Sequence, residues 1–183
     1  MSQPLPPVDQ NWTLFLDRDG VINEDNIHGY ILDWESFHFL PGVTEALRIF
    51  SSHFGHIFIV TNQRGVGRGL MPIEELNRIH RNMEKAINTA GGRLDGIFFC
   101  SAVETDHPDR KPNAGMAMQA KAKFPSIDFA RSLMVGNTRG DMEFGRKIGS
   151  YTVYLHNRED KVPLPETVDA RYDSLLSLAK DIE

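Results

Sequence analysis

The 183-residue chain has little cysteine and no long apolar run. Its single cysteine, Cys100, excludes an intrachain disulfide and a zinc site built from several cysteines. No apolar stretch approaches the ~20 residues that a membrane-spanning helix needs. Residues 1–7 have neither a basic flank nor an apolar segment, which argues against a signal peptide. We therefore expect a cytoplasmic protein with no membrane partner.

An excess of positive charge is also missing. The formal net charge is −5, which leaves no electrostatic footprint for a nucleic-acid partner. The apolar and charged fractions, 40% and 25%, are those of an ordinary soluble globule. We expect a monomer in which residues 1–183 form a single domain, with the proline-containing residues 1–11 as an extended arm.

Hydrophobic patterning predicts strands that alternate with helices. Short apolar runs indicate strands at residues 12–16, 57–60, 97–100, 132–135 and 151–155. Apolar residues spaced by three and four indicate helices at residues 43–54, 72–90, 114–124, 141–149 and 175–182. A loop rich in proline and charge is expected at residues 156–168. The alternation predicts an α/β fold with a central parallel sheet of about five strands, covered on both faces by helices.

Polar clusters follow the predicted strands at the ends where α/β sheets bind ligands. Asp17 and Asp19 come directly after the first strand, and two carboxylates placed there lose water and repel each other. Mg²⁺ removes this objection because it binds carboxylate and carbonyl oxygens. Asn137 and Asp141, after the fourth strand, offer further oxygens. These residues predict a magnesium site.

The clusters after the second and third strands carry groups that bind phosphate. Thr61, Asn62 and Gln63 stand before a glycine-rich stretch and offer a hydroxyl, amides and backbone N–H groups. The glycine spacing is not that of a P-loop. Lys111, held in an extended backbone by the proline that follows it, supplies a point charge for a phosphate oxygen.

The irregular stretch 23–39 has an unusual aromatic density, with Tyr30, Trp34, Phe37 and Phe39. It is either a small hairpin that packs its own aromatic rings or a flap over the acidic site, and both can hold. The histidines, His80 on a long helix among them, are interpreted as surface or core residues. Cys100 ends an apolar strand and is interpreted as a core residue.

Four ordered segments carry a resemblance to a known family. They read Asp-Arg-Asp-Gly-Val-Ile-Asn at 17–23, Thr-Asn-Gln-x-Gly-x-x-Arg-Gly at 61–69, Arg-Lys-Pro-x-x-Gly-Met at 110–116 and Val-Gly-Asn-x-x-x-Asp-Met at 135–142. Together they resemble the four motifs of the haloacid dehalogenase superfamily. Within it, the chain is similar to the D-glycero-D-manno-heptose 1,7-bisphosphate phosphatases and histidinol-phosphatases. The resemblance implies a three-layer Rossmann-like fold, and the short segments between motifs leave no room for a cap domain.

The resemblance also implies roles for the candidate residues. Asp17 would be the nucleophile that forms an aspartyl-phosphate, and Asp19 would protonate the leaving oxygen and then activate water. Mg²⁺ would be bound by Asp17, the backbone carbonyl of Asp19 and an oxygen of Asn137 or Asp141. The transferring phosphoryl group would be held by Thr61, Asn62 and Lys111.

Two features depart from the family pattern. Asn137 stands where the family usually has aspartate, so the metal site has less negative charge and Asp141 is an alternative ligand. The relatives usually carry a zinc-binding loop of cysteines and a histidine before the third motif. Here only Cys100 and His107 remain of it, fewer than the ligands that tetrahedral zinc needs. We therefore expect Mg²⁺ as the cofactor and no zinc.

These observations predict a magnesium-dependent phosphomonoesterase that acts on a small phosphorylated metabolite. A sugar bisphosphate of the heptose 1,7-bisphosphate type is favoured, because Arg64, Arg68 and Arg110 exceed what one phosphate needs. The substrate would then be contacted by Asn62, Gln63, Arg64, Arg68 and Arg110.

Three alternatives to this function remain open. Histidinol phosphate carries a cationic amine, which the acids Glu104, Asp106 and Asp109 could bind. A nucleic-acid 3′-phosphatase can share the same catalytic core, but it would need a basic groove. A non-catalytic protein that binds phosphometabolites would explain Asn137 and the missing zinc loop.

Overall fold

The computed structural model describes residues 4–26, 29–156 and 163–183. Within these residues, six parallel strands form one sheet in the order β3-β2-β1-β4-β5-β6. The strands are β1 (Thr13–Leu16), β2 (His56–Asn62), β3 (Gly96–Cys100), β4 (Ser132–Gly136), β5 (Tyr151–Leu155) and β6 (Ala170–Tyr172). The helices are α1 (Val43–His53), α2 (Arg64–Gly67), α3 (Ile73–Thr89), α4 (Gly115–Lys123), α5 (Arg139–Ile148) and α6 (Leu175–Ile182).

The predicted α/β fold with a parallel sheet is confirmed, but the sheet has six strands rather than about five. The additional strand, β6, was missed because its three residues are too few to show a periodic pattern, and only Ala170 is buried. Pairing of Ala170 with Val153 of β5 forms the strand at the sheet edge. Helix α2 was likewise missed, because its glycines disfavour helix and indicated a loop.

Strand β1 occupies the centre of the sheet, and all four of its side chains are buried. Phe15 pairs with Phe58 of β2 on one side and with Met134 of β4 on the other. Leu14 and Leu16 belong to one core cluster, whereas Phe15 belongs to the other. A strand that is covered on both faces needs apolar residues at every position, which explains why this run was visible in the sequence.

Helices cover the two faces of the sheet and complete three layers. Buried side chains of α1, α3 and α6 belong to the cluster that contains Leu14 and Leu16. Those of α4 and α5, such as Met116 and Phe144, belong to the cluster around Phe15. Helices α1 and α6 also pack against each other.

The strand order reverses beside β1, where the chain adds β2 and β3 on one side and β4, β5 and β6 on the other. A crevice is expected beyond the carboxyl ends of β1 and β4, the place where such sheets bind ligands. The Asp17 N–H donates to the Val135 carbonyl over 3.0 Å and extends the pairing of the two strands. Asp17 therefore stands at the edge of this crevice.

Some boundaries differ from those predicted. Strand β2 continues through Thr61 and Asn62, which pair with Phe99 and Cys100 of β3. The described part of the 23–39 stretch contains an isolated bridge between Asn23 and Phe39, not a regular hairpin. Within the proposed arm, residues 4–11 form no helix or strand.

Parts of three sequence predictions lie outside the described residues. They are the first three residues of the arm, residues 27–28 of the 23–39 stretch and residues 157–162 of the predicted loop. The single-domain prediction for 1–183 stays a prediction. In the ranges that the structure does describe, we find no helix of the length and apolarity that crossing a bilayer requires.

Candidate functional site

A cleft of about 580 Å³ opens at the carboxyl edge of the sheet. It brings together the ends of β1, β2 and α5 with the loop that follows β3. Ten of the eleven residues predicted for the site line it: Asp17, Asp19, Thr61, Asn62, Gln63, Arg64, Arg68, Arg110, Lys111 and Asp141. The eleventh, Asn137, is fully buried at the end of β4.

Lys111 holds two carboxylates together at the base of this cleft. Its Nζ lies 2.7 Å from Asp17 Oδ1 and 2.6 Å from Asp141 Oδ1. It also donates to the Val60 carbonyl over 2.8 Å. The three donors of the ammonium group are thereby used, and its side chain is almost completely buried. Lys111 therefore fixes the end of β1 against α5.

Burial and the neighbouring charges shift the pKa values of Asp17 and Lys111. Burial and the charge of Asp141 raise the pKa of Asp17 to about 7, although Lys111 opposes the shift. Burial alone would lower the pKa of Lys111, but the charges of Asp141 and Asp17 raise it. One buried ammonium thus faces two carboxylates, and an additional positive charge would favour the ionised form of Asp17.

Asp19 is held by donors on both of its oxygens. Oδ1 accepts from Arg18 Nε at 3.2 Å, Arg18 Nη2 at 2.8 Å and Asn23 Nδ2 at 2.9 Å. Oδ2 accepts from Gln63 Nε2 at 2.8 Å. Burial opposes ionisation, but the Arg18 charge and these hydrogen bonds outweigh it and lower the pKa of Asp19. The carboxylate is therefore fixed in orientation and ionised in the free protein.

Two amide side chains at the end of β2 form hydrogen bonds with other groups of the protein. Gln63 Nε2 donates to Thr61 Oγ1 over 2.9 Å as well as to Asp19. Asn62 Nδ2 donates to the Lys111 carbonyl over 3.2 Å, and Asn62 Oδ1 accepts from the Lys111 N–H over 3.0 Å. Gln63 and Asn62 therefore position Asp19 and Lys111, in addition to lining the cleft.

Asn137 and Asp141, the two candidates for a metal ligand, differ in their hydrogen bonding. Asp141 uses Oδ1 for Lys111, and its Oδ2 accepts from the N–H groups of Asn137 and Thr138 at 3.2 and 2.9 Å. Thr138 Oγ1 donates to the same oxygen over 2.7 Å. Both oxygens of Asp141 are therefore engaged within the protein.

By contrast, Asn137 is buried with its side-chain amide unused. Neither Oδ1 nor Nδ2 has a hydrogen-bond partner among the residues that the structure describes. A Cβ atom on Gly20 would lie only 1.9 Å from Asn137 Nδ2, so this side chain lies against the turn that follows Asp19. A buried polar group without a partner is costly, and a bound hard cation would satisfy the oxygen.

The side chains that could bind Mg²⁺ are too few by themselves, and a backbone carbonyl is needed as a further ligand. No group of three or more His, Cys, Asp or Glu side chains in the described part of the chain is placed to hold a metal. Asp17 and Asn137 offer side-chain oxygens as ligands, and the backbone carbonyl of Asp19 can add another. Two side-chain oxygens with water and backbone suit Mg²⁺, which keeps several waters.

Three arginines form a positively charged rim. Arg64 is half-buried, and its Nε has no hydrogen-bond partner in the described ranges. The Arg68 guanidinium lies 5.9 Å from the centre of the Tyr30 ring. Arg110 donates to the Ala102 carbonyl over 3.3 Å, and burial together with the charge of Arg64 lowers its pKa. These neighbouring cations favour an anion in the mouth of the cleft.

Little of a zinc site is present in the loop after β3. Cys100 Sγ lies 3.7 Å from His107 Nδ1, while Glu104 and Asp106 are exposed. Burial raises the pKa of the Cys100 thiol, which opposes the thiolate form that binds metal. The absence of zinc stays a prediction.

Some residues of the cleft were not predicted from the sequence as site residues. They are Asp25, Asn26, Gly29, Tyr30, Ile31 and Thr138. All but Thr138 belong to the aromatic stretch 23–39, for which the sequence left a small hairpin and a flap over the site as alternatives. Its other rings pack inward, with Trp34 stacked on Phe37 at 5.1 Å and Phe37 edge-on to Phe39 at 5.1 Å. The stretch thus contributes to both the core and the cleft.

Comparisons with known proteins agree with this geometry. Residues 13–161 match the family model described as polynucleotide kinase 3 phosphatase. The D-glycero-alpha-D-manno-heptose-1,7-bisphosphate 7-phosphatase of Mycobacterium tuberculosis is 34% identical over 76% of this chain and 74% of its own. The D-glycero-beta-D-manno-heptose-1,7-bisphosphate 7-phosphatase of Photorhabdus laumondii is 32% identical over 100% of this chain and 98% of its own.

A solved structure shows the same fold. The D,D-heptose 1,7-bisphosphate phosphatase from B. bronchiseptica, complexed with magnesium and phosphate, superposes with a TM-score of 0.84. It is 28% identical in sequence, and the match covers 93% of this chain and 97% of that one. The matched family model, the relatives and the four ordered motifs agree, and the chain belongs to the polynucleotide kinase 3 phosphatase family within the haloacid dehalogenase superfamily.

Proposed function

We propose that this protein is a magnesium-dependent phosphomonoesterase that acts on a sugar bisphosphate of the heptose 1,7-bisphosphate type. The observation that carries the proposal is the position of Asp17. Its carboxylate follows the carboxyl end of β1 and lies 2.7 Å from the buried ammonium of Lys111. The same cleft also contains Asp19 and a rim of arginines. A nucleophile, an acid–base group and phosphate-binding cations thus share one cavity.

Asp17 and Asp19 divide the two steps of the reaction. In the first, an Asp17 oxygen attacks phosphorus and the bond between phosphorus and the ester oxygen breaks. Asp19, which is ionised in the free protein, takes the proton of the bound phosphate monoanion and passes it to the departing alkoxide. In the second, Asp19 takes a proton from a water molecule, which attacks the aspartyl-phosphate and releases inorganic phosphate. Asp17 is regenerated and Asp19 returns its proton to the released phosphate, so phosphate and the dephosphorylated sugar are the products.

The phosphoryl oxygens would be met by groups that the fold already orients. Lys111 offers a buried positive charge at the base of the cleft, and Asp141 keeps it there through the 2.6 Å ion pair. The Thr61 hydroxyl lines the same cavity beside Asn62. Charge that is fixed before the substrate binds needs no reorganisation during the reaction.

Asp17, Asn137 and the backbone carbonyl of Asp19 would hold Mg²⁺. The Asn137 oxygen supports this assignment, because no described residue binds it, whereas Asp141 uses both of its oxygens for Lys111, Thr138 and the backbone. When bound, the cation supplies positive charge that offsets the repulsion between a carboxylate nucleophile and the phosphoryl oxygens. The magnesium and phosphate in the B. bronchiseptica relative support the same cofactor for this chain.

A second phosphate on the substrate would explain the arginine rim. Arg64, Arg68 and Arg110 line the cleft, whereas the residues described as lining it do not include the loop acids that histidinol phosphate would use. Those acids are Glu104, Asp106 and Asp109. The relatives act, by their names, on heptose 1,7-bisphosphates of both anomeric forms. We further propose that the protein works as a monomer in the cytoplasm, without a nucleic-acid partner.

Phosphate release from a panel of substrates tests the function. We expect the highest kcat/KM with heptose 1,7-bisphosphate, followed by histidinol phosphate, when Mg²⁺ is present. EDTA should abolish turnover and added Mg²⁺ should restore it. Asp17→Asn, checked for native folding by circular dichroism, should lower kcat at least about a thousandfold, because an amide is a poor nucleophile. Turnover that survives the substitution or thorough chelation would contradict the mechanism.

The name of the matched family model favours a second candidate, a 3′-phosphatase acting on nucleic acid. The formal net charge of −5 speaks against it, because binding a polyanion needs a basic surface. An oligonucleotide with a 3′-phosphate belongs in the same panel. A higher kcat/KM for this oligonucleotide, falling steeply with salt, would replace the sugar bisphosphate by nucleic acid as the substrate.

A further inference from the structure

In the sequence, Arg18 stands between Asp17 and Asp19. Its side chain is completely buried. Burying a permanent charge is costly unless its donors are paired. Nε and Nη2 both donate to Asp19 Oδ1. Nη1 lies 3.3 Å from His80 Nε2, and His80 is not among the residues that line the cleft. The planar guanidinium is thereby held at two edges, by a carboxylate and by an imidazole.

His80 is the hydrogen-bond partner of Arg18 Nη1. It comes from α3 and is buried, with its ring 5.8 Å from that of Phe99. A guanidinium has no acceptor, so Nε2 must accept and the imidazole must be neutral, with its proton on Nδ1. Burial and the charge of Arg18 lower the pKa of His80 to about 3, consistent with a neutral ring. His80 is therefore a hydrogen-bond acceptor for Arg18.

This arrangement distinguishes the two oxygens of Asp19. Oδ1 accepts three hydrogen bonds, two from Arg18 and one from Asn23, which uses its lone pairs. Oδ2 accepts one, from Gln63, and keeps acceptor capacity. The plane of the guanidinium thus determines which oxygen can carry the proton that the leaving group needs.

We propose that Arg18 and His80 are positioning residues for proton transfer: His80 holds Arg18, and Arg18 holds Asp19 with Oδ2 directed to the leaving oxygen. The inference deepens the proposed phosphatase function and rests on it. Neither residue touches the substrate. Their effect should appear where the leaving oxygen needs a proton and disappear where it does not.

Two substrates with different leaving groups test this inference. A sugar phosphate releases an alkoxide that must be protonated, whereas p-nitrophenyl phosphate releases a phenolate that leaves without a proton. His80→Leu removes the acceptor at similar volume. It should lower kcat/KM for the sugar phosphate by about tenfold, the scale of a small misplacement of a reacting group, and that for p-nitrophenyl phosphate by less than twofold. His80→Gln, which keeps an acceptor at similar reach, should restore most of the loss.

Further variants separate positioning from general damage. Met83→Ala removes another buried side chain one turn along α3, and it should lower the melting temperature without changing the ratio of the two kcat/KM values. Arg18→Lys keeps the positive charge but loses the planar set of donors that binds both Asp19 and His80. It should change the ratio of the two kcat/KM values in the same direction as His80→Leu. An equal loss for both substrates in His80→Leu, or no loss, would overturn the inference while the native activity stands. A native protein without phosphatase activity would overturn the proposed function and this inference with it.

Discussion

Asn137, buried at the end of β4, is a residue at which this chain departs from the pattern expected of its family. Its amide is buried without a hydrogen-bond partner among the described residues, whereas both oxygens of Asp141 are engaged, with Lys111, Thr138 and the Asn137 N–H. The neutral side chain reduces the negative charge around Asp17, which already shares one ammonium with Asp141. A neutral side chain at this position therefore lowers carboxylate repulsion in the free protein and gives less attraction for a cation than an aspartate would.

Asn137→Asp is expected to tighten Mg²⁺ binding. An added carboxylate among the oxygen donors increases the attraction for a divalent cation, and we expect the Mg²⁺ concentration for half-maximal activity to fall by about tenfold. A magnesium titration of phosphate release measures it. Asp141→Asn is the comparison, and it should lower kcat by freeing Lys111 rather than shift the magnesium dependence. Unchanged magnesium dependence in Asn137→Asp would remove Asn137 from the ligand set.

Arg110→Ala is expected to weaken the use of a bisphosphate selectively. Loss of one charge-assisted phosphate contact costs roughly 1.5–3 kcal/mol, about ten- to a hundredfold in kcat/KM for heptose 1,7-bisphosphate. Histidinol phosphate, which has one phosphate, should lose much less. Arg131→Ala is a matched control, because Arg131 is exposed in the 3-10 turn before β4. Equal losses for both substrates would mean that Arg110 does not bind a second phosphate.

At the scale of elements, helix ends determine how the layers are held in place. Helix α5 begins with a capping box in which Thr138 and Asp141 bind each other's backbone N–H groups. Asp141 therefore has two roles: one of its oxygens caps the first turn of α5, and the other binds Lys111 in the site. Helix α6 begins with a similar box formed by Ser174 and Ser177, on the side of the molecule where it packs against α1.

Ser174→Ala should reduce stability without affecting activity. The Ser174 hydroxyl accepts from the Ser177 N–H over 3.1 Å, and removing such a cap lowers the free energy of unfolding by about 1 kcal/mol. Urea unfolding measures this loss, and kcat/KM should stay unchanged because α6 does not contribute to the cleft lining that is described. Ser174→Gly should cost only a few tenths of that amount, about 0.3 kcal/mol. A change in kcat/KM would show coupling between this helix and the site.

At the scale of the whole molecule, stability depends on polar groups that the fold takes out of water. Arg18 is completely buried and His80 nearly so, although they are far apart in the chain. The pair can exist only because α3 packs on the same face of the sheet as the residues that follow β1. The histidine must stay neutral there, so folding is linked to pH.

The native protein should lose stability at mildly acidic pH because of His80. Its pKa is lowered from 6.5 to about 3, so between these values the unfolded chain binds a proton that the folded protein does not. The free energy of unfolding therefore falls as the pH drops below the unfolded pKa. From pH 7 to pH 5 the native protein should lose about 2 kcal/mol relative to His80→Gln.

Urea unfolding of both proteins at the two pH values, with EDTA present, measures this linkage. The difference between the proteins isolates His80, because Asp17 and the other titrating groups are common to both. Parallel pH dependence in the native protein and His80→Gln would show that the imidazole titrates alike in the folded and unfolded states.

The sequence predicted the fold class, and it predicted that most of the candidate residues would lie at one edge of the sheet. Parallel strands that are buried on both faces are rich in apolar residues, and such runs are visible locally, as at residues 14–16 of β1. Polar residues that follow four of these runs had to meet at one edge of the sheet. The candidates from Asp17 to Asp141 were found for this reason, and ten of the eleven line one cleft.

Only the tertiary structure decided which polar atoms have partners. The sequence left Asn137 and Asp141 equivalent as metal ligands, and it offered His80 only as a surface or core residue. Hydrogen bonds across 62 residues to Arg18 and across 44 to Asp19 depend on how α3 and β2 pack around β1. Local sequence carries residue types and their periodicity, whereas the pairing of buried polar groups is set by distances of a few ångströms between distant segments.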